Sequence, residues 1–585
     1  MLGCIHLCCG ISYGTEGLLV ETESFSSKGG WMVDQQFDQI MGSTYLLAHG
    51  MGRPVENAKT TITFPHKGNY HLWVRTKNWV PGDWDAPGRF QIIVNGKMLS
   101  TLFGTITGWT WQYGGEVEIS DTAVPVELKD LTGFDGRCDA LYFSTSNKDV
   151  PPNDLKKMAQ WRREKLGSPP TPPSAGNFDV VIVGGGIAGC AAALAADKQD
   201  LKVALIHDRP LLGGNASSEV RVHTLGIYGK GGEILKGLDT KHWPNGSANA
   251  IPDTTKRHKT MEGATNVHMF LSWRAFTANT KGSRITSVDA RHNESGNTKR
   301  FRAPVFIDCT GDGWIGYWAG AEYSYGRESS DVYNENWLKH GDKWSPKTAD
   351  KLTMGTSLLW NSERGKIQIP FPKVPWAMDV AKEHKATAGE WYWEYAAKDK
   401  HQIDDAEEIR DHMLRAIYGS FYNAKKDPNN ANIQLKWVGY IAGKRESRRL
   451  IGDYIYTMAD AAKKRTFPDT VVEETREIDV HYQFDNSIFI SGAIFYKTHG
   501  TYYIPFRSLY SKNIDNLMMA GRCFSCSHIG LGGPRVMKTT GQMGIATGYA
   551  AALCKKYDTL PRGIYKEYID ELRGLIGYGA NQETK

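Results

Sequence analysis

The stretch VVIVGGGIAGCAAALAADKQDLKVALIHD, Val180 to Asp208, decides the fold. Val180 to Val183 is a β-branched run of the kind a buried parallel strand uses. Glycines follow at Gly184, Gly186 and Gly189, with Gly185, Ile187 and Ala188 between them, and the chain then becomes alanine-rich. A second strand pattern, Lys202 to Ile206, completes the unit. Strand, glycine turn, helix and strand at this spacing form the dinucleotide-binding fingerprint. Gly184 is expected to turn the chain, Gly186 to admit a pyrophosphate against the backbone, and Gly189 to let the helix lie close on the strand. The helix N-terminus would offer its free amides to the phosphates. Where an acidic residue should close the second strand stands His207, followed by Asp208 and Arg209. His207 and Asp208 are both ribose candidates; Asp208 is preferred because a carboxylate accepts from both hydroxyls.

Outward from that unit, 585 residues with 41% hydrophobic content can bury more than one core, so two or three domains are expected. The formal charge of +6 is spread without basic runs, which argues against a nucleic-acid groove or an anionic membrane surface. No apolar run approaches the roughly 20 residues of a transmembrane helix. Residues 1–17 read as a leader remnant, apolar enough for the tail of a secretory signal but without a basic start. A periplasmic or secreted location is therefore the expectation, with the cytoplasm as the alternative. Three of the nine cysteines, Cys4, Cys8 and Cys9, fall in that leader, and the others are scattered. Cys523 and Cys526 form one Cys-x-x-Cys pair with no second pair at zinc spacing, so they are expected to be inert thiols, and no metal is expected.

Residues 18–150 show short alternating strands, among them TTITF from Thr60, YHLWVRT from Tyr70 and FQIIVNGK from Phe90, with a hairpin signal at Asn95-Gly96. They predict an all-β sandwich, and the pattern resembles jelly-roll carbohydrate-binding modules. Trp79 and Trp84, in the loop NWVPGDWDAPG, either stack on sugar rings or pack against a neighbouring domain. Residues 151–176 read as a charged helix and a Pro-rich linker. Residues 177–330 form the first part of the α/β domain. Residues 331–430 interrupt it and carry Trp337, Trp344, Trp360, Trp376, Trp391 and Trp393, as a sugar-facing roof or as core. Residues 431–585 supply further strands of the substrate region and the second part of the cofactor domain.

Four later segments narrow the cofactor: DRPLLGGNASSEVRVH (Asp208 to His223), FIDCTGDGWIGYWAGAE (Phe306 to Glu322), GKRESRRLIGDY (Gly443 to Tyr454), and the run from Tyr502 to Leu553 containing NLMMAGRCFSCSHIGLGGPRVMKTTGQMG. On these the chain resembles FAD-dependent oxidoreductases of the glutathione-reductase type, most closely the branch called xanthan lyase-like in carbohydrate-using bacteria. The resemblance implies a Rossmann-like α/β FAD domain with an inserted α+β substrate domain behind the N-terminal all-β sandwich. It implies that Gly521 and Arg522 meet the ribityl and phosphate groups. It also places the head of the final helix, with Arg535 and Val536, against the flavin pyrimidine, where Arg535 and the amide dipoles would stabilise the charge of a reduced flavin. Thr310, Gly311 and Asp312 end a second strand, expected near the adenosine half. Gly213 and Gly214 allow close backbone approach, and Asn215, Ser217 and Ser218 offer short hydrogen-bonding groups. DRPLLGGNASS contains no His or Cys, so noncovalent FAD is expected.

For acid or base work the candidates are His528, His223 and His499, with His528 favoured because it lies between the last FAD strand and the final helix. Arg445, Arg448 and Arg449, around Glu446, either anchor a carboxylate or sulfate or form an internal network. The function expected is oxidation of a carbohydrate or glycoside hydroxyl, with hydride passing to flavin N5 while a base removes the proton. The alternatives are a redox-neutral glycoside-cleaving enzyme or lyase, working by oxidation, elimination and reduction, and a glycan-binding protein with a structural flavin.

Overall fold

The computed structural model describes residues 17–335, 343–483 and 489–579. The leader expectation, with Cys4, Cys8 and Cys9, and Trp337 lie outside the described residues. Two compact units are present, one of residues up to Pro173 with Asn293–Asn297, the other of Ser174–His292 and Thr298 onward.

In the first unit, alternating side chains build two antiparallel sheets. One runs Met32–Asp34, Tyr45–Ala48, Gly136–Ser144, Gly68–Thr76, Thr110–Ile119, with Leu18–Glu21 also on Gly136–Ser144; the other runs Ala58–Thr63, Ala123–Asp130, Phe90–Val94, Lys97–Met98. Val124, Val126 and Leu128 of one sheet and Leu72, Val74 and Leu141 of the other join one buried cluster, as the two-residue period requires. Trp79 is not a sugar platform: it is 4% exposed, and its indole N–H donates to the Phe134 carbonyl within the same unit. Trp84 is half-buried and donates to the Val80 carbonyl. The charged helix Leu155–Lys165 belongs to the same unit. Its Arg162 is buried, bonds Glu21 at 2.7 Å and pairs with Asp139, and Trp161 sets its ring against Tyr142.

The second unit begins at Ser174 rather than Asn177, because Ser174–Asn177 is itself a strand, parallel to Thr298–Arg302. Its centre is a parallel sheet made by β1 (Val180–Val183), β2 (Val203–His207), β3 (Val267–Leu271), β4 (Val305–Asp308) and β5 (Leu517–Met519), in the order β3-β2-β1-β4-β5. That order is the doubly wound one. Successive residues face opposite sides. Val180, Ile182, Leu205, Ile307 and Met518 pack on one core, under the helices α1 (Ile187–Asp197) and α2 (Met537–Lys556). Val181, Val183, Ala204, Phe306 and Met519 pack on another, with Ala278, Val288 and Phe301 of an antiparallel meander. The two helices touch through small residues. A Cβ on Gly544 would meet the Ala188 carbonyl oxygen at 2.1 Å, and one on Gly548 would meet that of Ala192 at 2.3 Å.

The chain between β4 and β5 builds the region expected to face the substrate. It contains the long helix Ala406–Lys425 and small antiparallel pairs, among them Trp360–Arg364 with Ile433–Val438, Thr470–Glu474 with Tyr502–Pro505, and Ile478–Gln483 with Ser491–Tyr496. The strands expected after residue 430 continue the interruption up to β5. Trp344, Trp360, Trp376 and Trp393 are its core, at 0 to 3% exposure, and Trp391 is exposed. All six described cysteines are free and buried, and burial pushes the Cys523 and Cys526 thiols well up. No helix among the described residues is long and apolar enough to cross a membrane.

Candidate functional site

The glycines after β1 divide by what a side chain would meet. Gly184 has φ +108, and a Cβ there would sit 2.2 Å from the Cys309 carbonyl oxygen; on Gly185 it would strike the His207 ring, and on Gly189 it would lie 1.8 Å from the Gly184 carbonyl oxygen. These three are required by the protein's own packing. Gly186 is not, since φ is −70 and a Cβ there meets nothing nearer than Gly214 Cα at 3.9 Å. The space in front of Gly186 is open, at the head of α1 beside Gly213 and Gly214, with Ile187 and Ala188 opening the helix. Backbone amides at a helix N-terminus facing open space fit a pyrophosphate.

His207 is not a ribose ligand. Its Nδ1 accepts from the Gly185 N–H at 3.1 Å and its Nε2 faces the Leu211 carbonyl at 3.1 Å, so both nitrogens are spent on holding the glycine turn. Burial, with Arg209 adding to it, outweighs Asp208 and takes its pKa down to about 4, so the ring is neutral. Asp208 is 39% exposed, 3.4 Å from Arg274, and remains the ribose candidate. Ser217 is buried, its hydroxyl between Arg209 and Glu219, which also pair with each other, so it orders the loop instead of offering a ligand group. The Ser218 amide is taken by the Thr254 hydroxyl. The Thr310 hydroxyl donates to Asp308 and accepts from the Trp314 amide, so it caps a helix.

Asp312 lies 2.7 Å from Lys444 and 3.6 Å from Arg522, and Ser447 donates to it. Burial would raise its carboxyl, yet the two cations hold it well below the usual range. A Cβ on Gly311 would strike the Arg522 guanidinium, so the second turn is shaped around that cation. Gly521, at φ +111, brings Arg522 off the end of β5, and Arg522 Nη1 is buried with no acceptor among the described residues. An orphaned cationic donor beside an open glycine cradle fits a diphosphate.

From this cradle opens a cavity of about 380 Å³, lined by Asn215, Lys444 and Arg522 and by Val536 and Met537 at the head of α2. Asn215 donates to the Lys444 carbonyl, which ties the cofactor loop to the cavity wall. Three exposed aromatics, Trp243 (67%), Trp391 (38%) and Phe495 (48%), also line it. The polar wall comprises His223, Arg445, Arg476, Asp479, His481 and Arg535.

His223 turns its Nδ1 to Asn245 Oδ1 at 2.6 Å, and that oxygen also takes the His223 amide at 2.9 Å. An amide oxygen only accepts, so Nδ1 carries the proton and Nε2 is the basic nitrogen. Nε2 has no partner among the described residues, the ring lies edge-on to Trp243 at 4.5 Å, and burial lowers its pKa. His528 does not line the cavity. It is 2% exposed, with Nδ1 against Glu446 at 2.8 Å and its amide on Glu328, in a buried cluster with Arg449. His499 lines a neighbouring cavity. Of the three arginines flanking Glu446, only Arg445 reaches the cavity; Arg448 stacks on Tyr317 at 3.8 Å.

Sequence reasoning missed His481 and its partners. Its Nδ1 meets Glu394 at 2.5 Å and its Nε2 lies 3.3 Å from Asp479. Burial would raise Glu394, but Arg445, His481 and Ser491 hold it down to about 2. Burial likewise opposes, and Arg535, His481 and Arg476 overcome, the ionisation of Asp479. Arg535 itself is lowered to about 10 by burial, against the pull of Asp479 at 3.1 Å.

A doubly wound sheet, an open glycine cradle and a charged cavity at the head of a second glycine-rich helix define an enzyme that works through a dinucleotide cofactor. The family model described as FAD dependent oxidoreductase matches residues 179–576, and the chain belongs to that family; its cofactor is FAD. No curated protein matches it. Among solved structures it is similar to a geranylgeranyl bacteriochlorophyll reductase-like protein from Thermoplasma acidophilum, at 12% identity and a TM-score of 0.33, over 68% of this chain and 83% of that one. A myxobacterial chondrochloren halogenase is similar at 13% identity and a TM-score of 0.31, over 68% and 80%. The CBM36-1 domain of a multidomain xylanase from the hindgut metagenome of Trinervitermes trinervoides is similar at 16% identity and a TM-score of 0.18, over 22% and 98%.

Proposed function

We propose that this FAD-dependent oxidoreductase oxidises a hydroxyl of a carbohydrate or glycoside, with His223 as the base. The supporting observation is His223 itself, pinned through Nδ1 by Asn245 and presenting an unpartnered Nε2 in the cavity beside Trp243. FAD, when bound, supplies the hydride acceptor. Gly186, Asp208, Asn215 and Arg522 would hold it, with the head of α2 and Arg535 toward its reacting end. His223 takes the hydroxyl proton on Nε2, and Asn245 keeps the ring in the tautomer that accepts it. Trp243, Trp391 and Phe495 give flat apolar faces, which suit the axial C–H groups of a sugar ring and exclude water from the carbon that loses hydride. Arg445 stiffens this wall, bonding Ser357 Oγ at 2.7 Å and the Trp391 carbonyl at 2.6 Å.

Anaerobic mixing of the holoenzyme with a glycan panel tests the reading. At least one sugar should bleach the flavin and leave a carbonyl product. Bleaching that reverses without lasting oxidation would favour the redox-neutral lyase, and a flavin that no sugar bleaches would end the proposal.

A further inference from the structure

The polar wall of the cavity carries more positive charge than its own carboxylates answer. Arg445, Arg476 and Arg535 stand against Glu394 and Asp479. The three cations are not equivalent. Arg445 spends both terminal nitrogens, on Ser357 and on the Trp391 carbonyl, besides facing Glu394 at 3.3 Å. Arg476 and Arg535 each commit only Nη2, and both commit it to Asp479, at 2.9 and 3.1 Å. Among the described residues one carboxylate thus serves two guanidinium groups, which leaves one unit of positive charge for a ligand.

Arg535 adjoins Val536, the N-cap of α2, so its excess charge lies with the helix head. Arg476 is placed differently. Its side chain is 23% exposed, its Nη1 is neither bonded nor sealed in, and it lines both the 380 Å³ cavity and a second, open one of about 450 Å³. Lys497, His499 and Glu477 also line that second cavity. Glu474, which lines it too, is already occupied by Thr539 and by the amides of Thr475 and Arg476. A guanidinium at the junction of two cavities, with a terminal nitrogen open to solvent, is suited to a singly charged oxyanion on a ring seated beside His223.

We propose, resting on the reading of this cavity as a sugar-oxidising site, that the substrate is an acidic sugar whose carboxylate or sulfate is held by Arg476. The neighbouring cavity gives room for the next residue of a longer acidic glycan. Neutral sugars fit the same aromatic faces but leave the Arg476 charge unanswered, and bind more weakly.

The test is anaerobic flavin reduction of the holoenzyme by matched sets of one glycoside: neutral, uronic acid and sulfate ester. For the wild type, kcat/KM for at least one acidic member should exceed that of its neutral congener by tenfold or more, mostly through KM, and the uronic and sulfate arms identify the oxyanion. Arg476→Gln should lower that acidic-to-neutral ratio at least tenfold, and Arg476→Lys should recover part of it. The flavin midpoint potential of Arg476→Gln should stay at the wild-type value. A drop in potential with an intact ratio would mean that Arg476 answers the reduced flavin instead, and would overturn the proposal. Should the variants fail to fold, the wild-type ratio decides: equal or faster reduction by neutral sugars overturns the inference and leaves the sugar-oxidising reading standing. If no sugar in any set reduces the flavin, the underlying reading fails, and the inference with it.

Discussion

The cofactor cradle and the substrate wall are made of different materials. At Gly184–Gly189 the working surface is backbone, held by contacts between main-chain atoms of β1, α1 and the turn after β4. Around the neighbouring cavity it is side-chain charge, in which Glu394, Asp479, Arg445, Arg476, Arg535 and His481 hold one another. Backbone surfaces tolerate almost no substitution at the packed positions, because there is nothing to rotate away. Charge networks can redistribute, so single changes there should alter selectivity and rate before they alter the fold.

The strongest test of that contrast lies within the fingerprint. Gly189→Val puts a Cβ 1.8 Å from a carbonyl oxygen that cannot move, so the domain should lose about 3 kcal/mol or more and yield little folded protein, read by soluble expression and thermal melting. Gly186→Val, three residues earlier, should give folded apoprotein whose melting matches wild-type apoprotein, while FAD affinity falls about 100-fold, near 2.7 kcal/mol. Stoichiometric FAD in purified Gly186→Val would show that the open space in front of this glycine is not the pyrophosphate site.

A smaller, pH-dependent effect is expected at the back of the cradle. His207 is neutral in the folded state, with its pKa depressed from near 6.5 to about 4. A depressed histidine contributes stability that is fully present above its unfolded value and lost as pH falls through its folded one. Stability and FAD retention should therefore decline from pH 6.5 toward 4, by up to about 3 kcal/mol. In His207→Asn, whose amide oxygen can still accept from the Gly185 N–H, the decline over that window should be shallower. An unchanged slope in urea titrations of that variant would remove His207 as its source.

The same difference in material explains what was legible in the sequence. Gly184, Gly186 and Gly189 announce themselves because a turn, a ligand and a close helix each demand the absence of a Cβ at a fixed spacing, and the parallel sheet follows from the strands around them. Gly544 and Gly548, which let α2 lie on α1, followed the same rule and were open to the same reading. Nothing local marks Glu394, whose partner His481 lies 87 residues away, so that only the fold makes them neighbours, while Asp479 and His481 share one face of a single strand without announcing a function. His528 shows the limit of arguing from chain position. The loop between β5 and α2 does connect two cofactor elements, but the ring turns inward to Glu446. Helix Leu155–Lys165 reads from the sequence only as a charged helix ahead of a Pro-rich linker, and it takes the fold to show that Arg162 is buried with two carboxylates of the first unit.

The central claim, that the cavity beside the cradle oxidises a hydroxyl with His223 as base, is tested most directly by anaerobic stopped-flow reduction of the bound flavin by its best sugar, in wild type, His223→Asn and His528→Asn. Reduction should slow by about 10²- to 10⁴-fold in His223→Asn, and the wild-type rate should fall as pH drops and Nε2 is protonated. His528→Asn, changed only in the buried cluster, should stay within about tenfold of wild type, short of the range expected for a lost base. Equal rates for wild type and His223→Asn, or the large loss falling on His528→Asn instead, would contradict the account.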